Sequence, residues 1–236
     1  MILKNLIEII TFTNFGYLQF TQNLINSIKV NDLNENISVF CTDNSCFNKI
    51  NSLGNKAYIL NSDEKVSKKL LSWKSTDKQF GYMMIKKFES IFESLNRNEY
   101  VLYTDGDVVF KKNFSKQLVE EIDNNDFLFQ LDYNPKTTLQ NELCGGFMLI
   151  KSSTETRELF NPKNLDLEYI INLPSHDQTY LNQKKEEFKY KYLDLNKFPN
   201  GAYYYNFICD PSIIHFNYVI GNSKKKIMKR YGEWYI

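Results

Sequence analysis

The sequence predicts an α/β fold, a single domain built on a mainly parallel, Rossmann-like central sheet flanked by helices. Three observations lead there. Short apolar runs alternate with longer segments whose apolar residues recur every three or four positions, the pattern of strands separated by helices. A chain of 236 residues is long enough to bury one substantial core and too short for a multidomain assembly. No internal repeat or low-complexity linker divides it, so residues 1–236 read as one unit.

Leu6 to Phe12 reads as a buried strand ending at Thr13-Asn14, and Gly16 to Val30 carries Leu18, Leu24, Ile25 and Ile28 at helical spacing. Ile37 to Cys41 is a second short strand, followed by the turn Thr42-Asp43-Asn44-Ser45, and Tyr58-Ile59-Leu60 is a weak third. Residues 61–77, rich in Ser, Lys and Asp, read as a loop. Lys78 to Leu95 is the clearest helix: Phe80, Met84, Phe88, Ile91, Phe92 and Leu95 make one apolar stripe. Lys87 lies on that stripe, so it either snorkels past it or pairs with something. Tyr100 to Thr104 is a buried strand that runs into Asp105-Gly106-Asp107. Phe127 to Leu131 and Gly145 to Lys151 are further strands, the latter entered through Leu143-Cys144. Ser175 to Gln183 is a helix with Ser175 as its N-cap, Ile213 to Phe216 a last strand, and Asn222 to Tyr231 a last helix.

Composition narrows the function classes. Lys plus Arg total 29 against 28 Asp plus Glu, a net charge of +1, without the basic excess of a nucleic-acid binder or the charge of a disordered acidic scaffold. Hydrophobic residues at 42% and aromatics at 15% are those of a globular, aromatic-rich chain. Ala occurs only at Ala57 and Ala202 and Arg only at Arg97, Arg157 and Arg230, while Lys and Asn are abundant. That bias points to an AT-rich genome, such as a large DNA virus or an AT-rich microbe or protist. Cys41, Cys46, Cys144 and Cys209 have no zinc-ligand spacing and are too few for a disulfide framework, so reduced thiols are expected. The apolar N-terminal stretch is broken by Lys4 and Glu8 and has no small-residue cleavage site, unlike a signal peptide. No apolar run approaches the ~18 residues of a membrane span. A cytoplasmic location is expected, the host cytoplasm if the source is viral.

Four segments carry chemistry. Asp105 and Asp107 flank a glycine at the carboxyl end of a buried strand, where open α/β sheets bind ligands, and two such carboxylates suit a hard divalent cation. The alternative is an ordinary strand-to-turn exit. In Ile213 to Lys226, His215 precedes Gly221-Asn222-Ser223 and three lysines, a helix start suited to phosphate; a core histidine and a solvated lysine face are the plainer reading. Gly145-Gly146 at a strand entry can offer backbone N–H groups at close range, or mark a bulge. Asp177-Gln178 falls in the first turn of a helix, where a capping role explains Ser175 and Asp177 but not Gln178.

In this order the four segments resemble the nucleotide-diphospho-sugar transferases of the GT-A fold, especially retaining members of the glycogenin, bacterial galactosyltransferase and plant xylosyltransferase types. The resemblance runs from Leu6 to Trp234: a D-x-D motif (Asp105-Gly106-Asp107), a Gly-Phe-Met strand (Cys144 to Ile150), a D-Q pair (Asp177-Gln178), and a C-terminal run with His215, Asn217, Tyr218, Gly221 and Lys225. It implies Mn²⁺ or Mg²⁺ held by Asp105, Asp107 and His215, and a nucleotide-diphospho-sugar donor, UDP-sugar favoured. Lys225 and Lys224 would hold the diphosphate, and residues 213–236 would close over the donor. Thr11, Thr13, Asn14 and Asp43 would line the nucleoside pocket, with Gly106, Asn217 and Gly221 beside the donor and Lys87 reaching it. Gly145, Gly146, Asp177 and Gln178 would surround the sugar, Asp177 and Gln178 acting in transfer with retention of configuration. The acceptor would be a glycan, protein or lipid. The Thr before Asp105 and the central Gly106 depart from many relatives and bear on which donor is used.

Two other readings compete. A haloacid-dehalogenase-type phosphatase also uses an Asp-x-Asp pair followed by Val or Thr, as in Asp105-Gly106-Asp107-Val108, but near the chain start, and it leaves His215 to Lys225 without a role. A sugar-nucleotide binder without transfer would keep the same residues.

Overall fold

A computed structural model describes residues 7–60, 78–137 and 141–236; Leu6 and the loop predicted over 61–77 lie outside the described residues. In chain order the first half runs β1 (Ile7–Thr13), α1 (Leu18–Val30), β2 (Ile37–Cys41), α2 (Asn44–Ser52), β3 (Lys56–Ile59), α3 (Lys78–Leu95), β4 (Tyr100–Thr104), β5 (Val108–Phe110) and α4 (Ser115–Ile122). The second half runs β6 (Phe127–Leu131), β7 (Leu143–Lys151), α5 (Thr154–Phe160), α6 (Leu167–Asn172), α7 (His176–Lys184), β8 (Tyr190–Tyr192), α8 (Gly201–Tyr204), β9 (Ile213–His215) and α9 (Gly221–Arg230).

A seven-stranded sheet has the order β3-β2-β1-β4-β7-β6-β8. Every neighbouring pair is parallel except those made by β7, which runs against both β4 and β6. The strands alternate side chains between two faces as the pleat requires. Ile9, Val39, Leu102 and Leu128 pack with α1, α2 and α4 on one side. Ile10, Phe40, Tyr103 and Phe129 pack with α3, α5, α6 and α7 on the other. This is the helix–sheet–helix sandwich the sequence predicts, and both faces are buried, as a parallel sheet demands. The carboxyl ends of β1, β2 and β4 therefore lie together along one edge of the sheet.

Three departures from the sequence reading have physical causes. The predicted turn at Asp43 is the entrance to a helix, α2, whose N-cap is Asp43 itself. The strand predicted at Ile213 to Phe216 does not join the main sheet but forms an antiparallel ribbon with β5. Helices α4, α5, α6 and α8 span 8, 7, 6 and 4 residues, too few turns to print a periodic pattern.

A register shift between Phe129 and Gln130 in β6 carries the pairing from Met148 to Cys144, so Gly145 and Gly146 are passed over on that side. Bulges of this kind redirect a strand next to a site. The bulge reading of the glycine pair thus holds, and the Gly145 amide donates to Gln178 at 3.3 Å.

Candidate active site

β4 delivers Asp105 to the ligand edge of the sheet, and the turn through Gly106 leads directly into β5. Val108 of β5 pairs with His215 of β9, which brings the imidazole beside Asp107 from more than a hundred residues away. The amide of Phe216 also donates to the carbonyl of Asp107 at 3.1 Å. Among the described residues, Asp105, Asp107 and His215 form a cluster whose ligand atoms all lie within 4.8 Å of one another. Nε2 of His215 is 3.5 Å from Oδ1 of Asp107 and 3.8 Å from Oδ2 of Asp105.

The tautomer of His215 follows from its other nitrogen. Gln130 spends its amide nitrogen on the Phe198 carbonyl at 3.1 Å, so its Oε1, 2.7 Å from Nδ1, accepts. Nδ1 carries a proton, and Nε2 is the atom turned to the acids. Burial alone would lower the pKa of His215, but Asp107 and Cys144 more than offset this and push it up to about 10. Asp107 is held well below the usual carboxylate range: burial works against ionisation, while Lys224 and His215 favour it more strongly.

The residues fit a cation. Among the described residues, Oδ1 of Asp107 is buried without a hydrogen-bond partner, its near neighbour being Nε2 of His215 at 3.5 Å, so it is an acceptor turned into the cluster. Two carboxylates and one imidazole suit Mg²⁺ or Mn²⁺. Gly146 preserves the room: a Cβ there would lie 2.6 Å from Oδ2 of Asp105 and closer still to the His215 ring. Gly146→Ala is therefore expected to lower the melting temperature and weaken Mn²⁺ binding together, the overpacking alone costing about 1–3 kcal/mol. A thermal melt and a Mn²⁺ titration check both.

A second group lies beneath. Lys87, 1% exposed, donates to Oδ2 of Asp177 and to the Gly145 carbonyl, each at 2.6 Å, and stands 3.7 Å from Oδ1 of Asp105. It pairs rather than snorkels: burial depresses its pKa, but Asp105 and Asp177 more than restore the charge and raise it. The Tyr103 hydroxyl donates to Oδ1 of Asp105 at 2.7 Å. Gln178 accepts from the Gly145 amide at 3.3 Å and donates to Oδ2 of Asp132 at 2.9 Å. Ser175 and His176, at φ 54° and 37°, precede the Asp-Gln pair in left-handed conformations, and Ser175 holds the N-cap position of α7 without a side-chain capping bond. Backbone held in that region marks a place where the surrounding structure imposes the conformation.

These groups face one cavity of about 330 Å³. Of the residues singled out in the sequence, it is lined by Thr13, Asn14, Lys87, Asp105, Gly106, Asp107, Cys144, Gly146, Ser175, Asp177, Gln178, His215, Asn217, Tyr218 and Lys224. Thr11, Asp43, Gly145, Gly221 and Lys225 do not line it. Asp43 has both oxygens engaged, by the amides of Phe15 at 2.8 Å and Cys46 at 2.9 Å, so it fixes the loop after β1. Gly145 acts one step back, through its bonds to Lys87 and Gln178. Gly221 opens α9 at φ 57°. Lys224 forms an ion pair with Asp107 and donates to the Tyr17 hydroxyl at 2.8 Å, whereas Lys225 turns to Gln19 at 3.1 Å and the Trp234 ring. One position along a helix is about 100° of rotation, enough to take the second lysine out of the cavity.

Asp132 and Tyr17 also line the cavity, and no motif announces them. Asp132 accepts from Gln178, from Asn200 at 3.0 Å and from Asn217 at 3.4 Å. Its only sequence signal is an acid just past the end of the strand Phe127–Leu131, the position Asp105 holds after β4.

Comparison with known proteins identifies the family and the fold. The sequence profile of the nucleotide-diphospho-sugar transferases matches residues 32–229. Over 174 residues the chain is 28% identical to the UDP-galactose:fucoside alpha-3-galactosyltransferase of Dictyostelium discoideum, covering 62% of this chain but only 27% of that relative's length. A glycosyltransferase involved in glycosylation of the major capsid of PBCV-1 superimposes with a TM-score of 0.58 at 11% identity, over 95% of this chain and 98% of that one. The galactosyltransferase LgtC, solved with donor and acceptor sugar analogues, gives 0.57 at 11% identity, over 88% and 86%. Mouse xyloside xylosyltransferase 1 gives 0.56 at 14% identity, over 89% and 97%. With its α/β sandwich, its cluster of Asp105, Asp107 and His215, and a family match over most of its length, the chain belongs to the nucleotide-diphospho-sugar transferases and has the GT-A glycosyltransferase fold.

Proposed function

We propose that the chain transfers a sugar from a nucleotide-diphospho-sugar, UDP-sugar favoured, to a glycan acceptor, using Mn²⁺ or Mg²⁺ and retaining the donor's anomeric configuration. The observation that carries this reading is the buried, unpartnered Oδ1 of Asp107 facing Asp105 and His215 in the same cavity as Lys224. The relative from Dictyostelium is named for a UDP-galactose donor and a fucoside acceptor, which favours a uridine nucleotide and a sugar acceptor here.

A divalent cation bound by Asp105, Asp107 and His215 supplies Lewis-acid neutralisation of the leaving diphosphate. The chain's own residues do the rest. Thr13, Asn14 and Tyr17 bound the side of the cavity that takes the nucleoside. Lys224 exchanges its ion pair with Asp107 for the phosphate oxygens. Lys87 holds Asp177 in place against the sugar hydroxyls, and Gln178 faces the anomeric carbon. The phosphatase reading gains nothing from these contacts, and the family match runs against it.

Turnover of UDP-galactose and UDP-glucose, with and without EDTA, tests the proposal. The expected result is nucleoside diphosphate released only with metal present. Release of inorganic phosphate from simple monoesters would establish a phosphatase, and binding without turnover a non-catalytic protein. No described helix is long and apolar enough to cross a membrane, so the assay needs no detergent on that account.

The two lysines separate cleanly. Lys224→Ala is expected to weaken nucleoside diphosphate binding about tenfold to a hundredfold, the worth of one charge-assisted hydrogen bond. Without nucleotide, the same change should tighten Mn²⁺ binding, because Asp107 loses its competing partner. Lys225→Ala should do neither; calorimetric titration of both variants checks it.

A further inference from the structure

Outside the cavity, beyond its Asp132 edge, three rings form a cluster that the donor site does not use, half-buried at Tyr133 and Tyr203 and exposed at Phe207. Tyr203 and Phe207 stack with centroids 4.7 Å apart, and Tyr133 stands edge-on to both at 5.4 and 5.6 Å. Phe207 is 47% exposed and the neighbouring Ile208 fully so. Large apolar groups left in water side by side mark a binding surface. Two hydrogen-bonded links tie the cluster to the cavity wall. Asn200 donates both to Asp132 and to the Tyr133 carbonyl at 2.9 Å, and its own Oδ1 caps the Tyr203 amide at 3.0 Å. The Gly201 amide, at the start of α8, donates to Asn217 at 2.7 Å. The rings are thus held in fixed relation to the residues that flank Gln178.

We propose that Tyr133, Tyr203 and Phe207 form a docking platform for a neutral oligosaccharide, the portion of a glycan acceptor that extends out of the cavity. This rests on the transferase reading above and specifies its acceptor. The chemistry selects a saccharide over the other two acceptor classes. A pyranose has an apolar C–H face and a rim of hydroxyls; the platform has flat ring faces edged by the Tyr203 hydroxyl, on Asn196 at 3.2 Å, and by the exposed neutral amides of Asn196 and Asn206. A lipid chain would want a continuous apolar trough without that amide rim, and a charged peptide segment would want countercharges, which the platform residues do not offer. Continuity with the cavity through Asp132 and Asn217 sets the direction in which the acceptor leaves.

Binding to an immobilised panel of neutral saccharides of one to six rings tests the platform. The panel carries galactose, glucose, mannose or fucose at the ends. Wild-type protein is expected to retain chains of two rings or more better than single sugars. Phe207→Ala should lose at least about tenfold in that binding, as truncation of an aromatic anchor does, while Phe207→Tyr, which keeps the ring, should hold it within about threefold. Loss in both variants, or in neither, would overturn the platform, as would a wild-type protein that retains no saccharide or binds only lipid or peptide probes. Metal-dependent cleavage of UDP-sugar by wild-type protein reads the transferase function separately. If cleavage is present and the ring makes no difference, the platform alone fails; if cleavage is absent, the transferase reading fails first.

Discussion

Asp107→Asn is expected to reduce metal-dependent donor turnover by about a thousandfold, about 4 kcal/mol of lost transition-state stabilisation, within the several kcal/mol a Lewis-acidic metal contributes. Asparagine keeps the shape of the side chain but offers only one neutral carbonyl where the carboxylate offered two oxygens and a charge. Both oxygens matter: Oδ2 holds Lys224, and Oδ1 is the unpartnered atom turned toward His215 and Asp105. Both changes remove the counter-charge of buried Lys224 and His215, but Asp107→Ala is the poorer probe, because it also leaves a void and no carbonyl to accept from Lys224, which would confuse unfolding with inactivity. The variant should behave like wild-type protein in EDTA, with its far-UV spectrum intact. A folded Asp107→Asn protein that keeps a tenth of its turnover at saturating Mn²⁺ would remove Asp107 from the metal site.

Much of this centre is legible in the sequence, for a reason particular residues make plain. Asp105-Gly106-Asp107 stands out because two acids and a glycine end an otherwise apolar strand, and a strand's carboxyl end is where an open sheet binds ligands. The helix Lys78–Leu95 is read to the residue because eighteen positions give the stripe room to repeat. Lys87 illustrates the limit: its place on the stripe is visible, but whether it snorkels or pairs depends on Asp177 and Gly145, which only folding brings to it. Asp132 is less visible still. It is one acid after one strand, and its importance comes from Gln178, Asn200 and Asn217 converging on it from three separate segments. Lys224 and Lys225 are equivalent as letters, and helical phase alone assigns one to the cavity. Asp43 shows the reverse error, since a carboxylate after a strand also makes a good helix cap and here does so.

Gln178→Ala should cut turnover about a hundredfold, some 2.7 kcal/mol, while weakening donor binding far less, because in the role proposed for it the amide acts on charge that develops only in the transition state. The amide is not free to turn. Its nitrogen donates to Asp132 and its oxygen accepts from the Gly145 amide, so the oxygen end, the one suited to developing positive charge at the anomeric carbon, is fixed on the glycine side of the cavity. Asp177 has a different task. Its Oδ2 is committed to the Lys87 ammonium at 2.6 Å, and that atom is not available to take a proton from an acceptor hydroxyl. An inverting enzyme needs a carboxylate within hydrogen-bond reach as general base. With one oxygen of Asp177 tied to Lys87, and beside it a glutamine that cannot serve as a base, retention is the outcome we propose. Asp177→Asn should therefore weaken donor binding and turnover together, since it loosens Lys87 and the ground-state contacts to the sugar alike. NMR of the first-formed product from an α-linked UDP-sugar decides the stereochemistry. An α-linked product agrees with Gln178 acting on the anomeric centre, and a β-linked product would make Asp177 the base and Gln178 a binding residue.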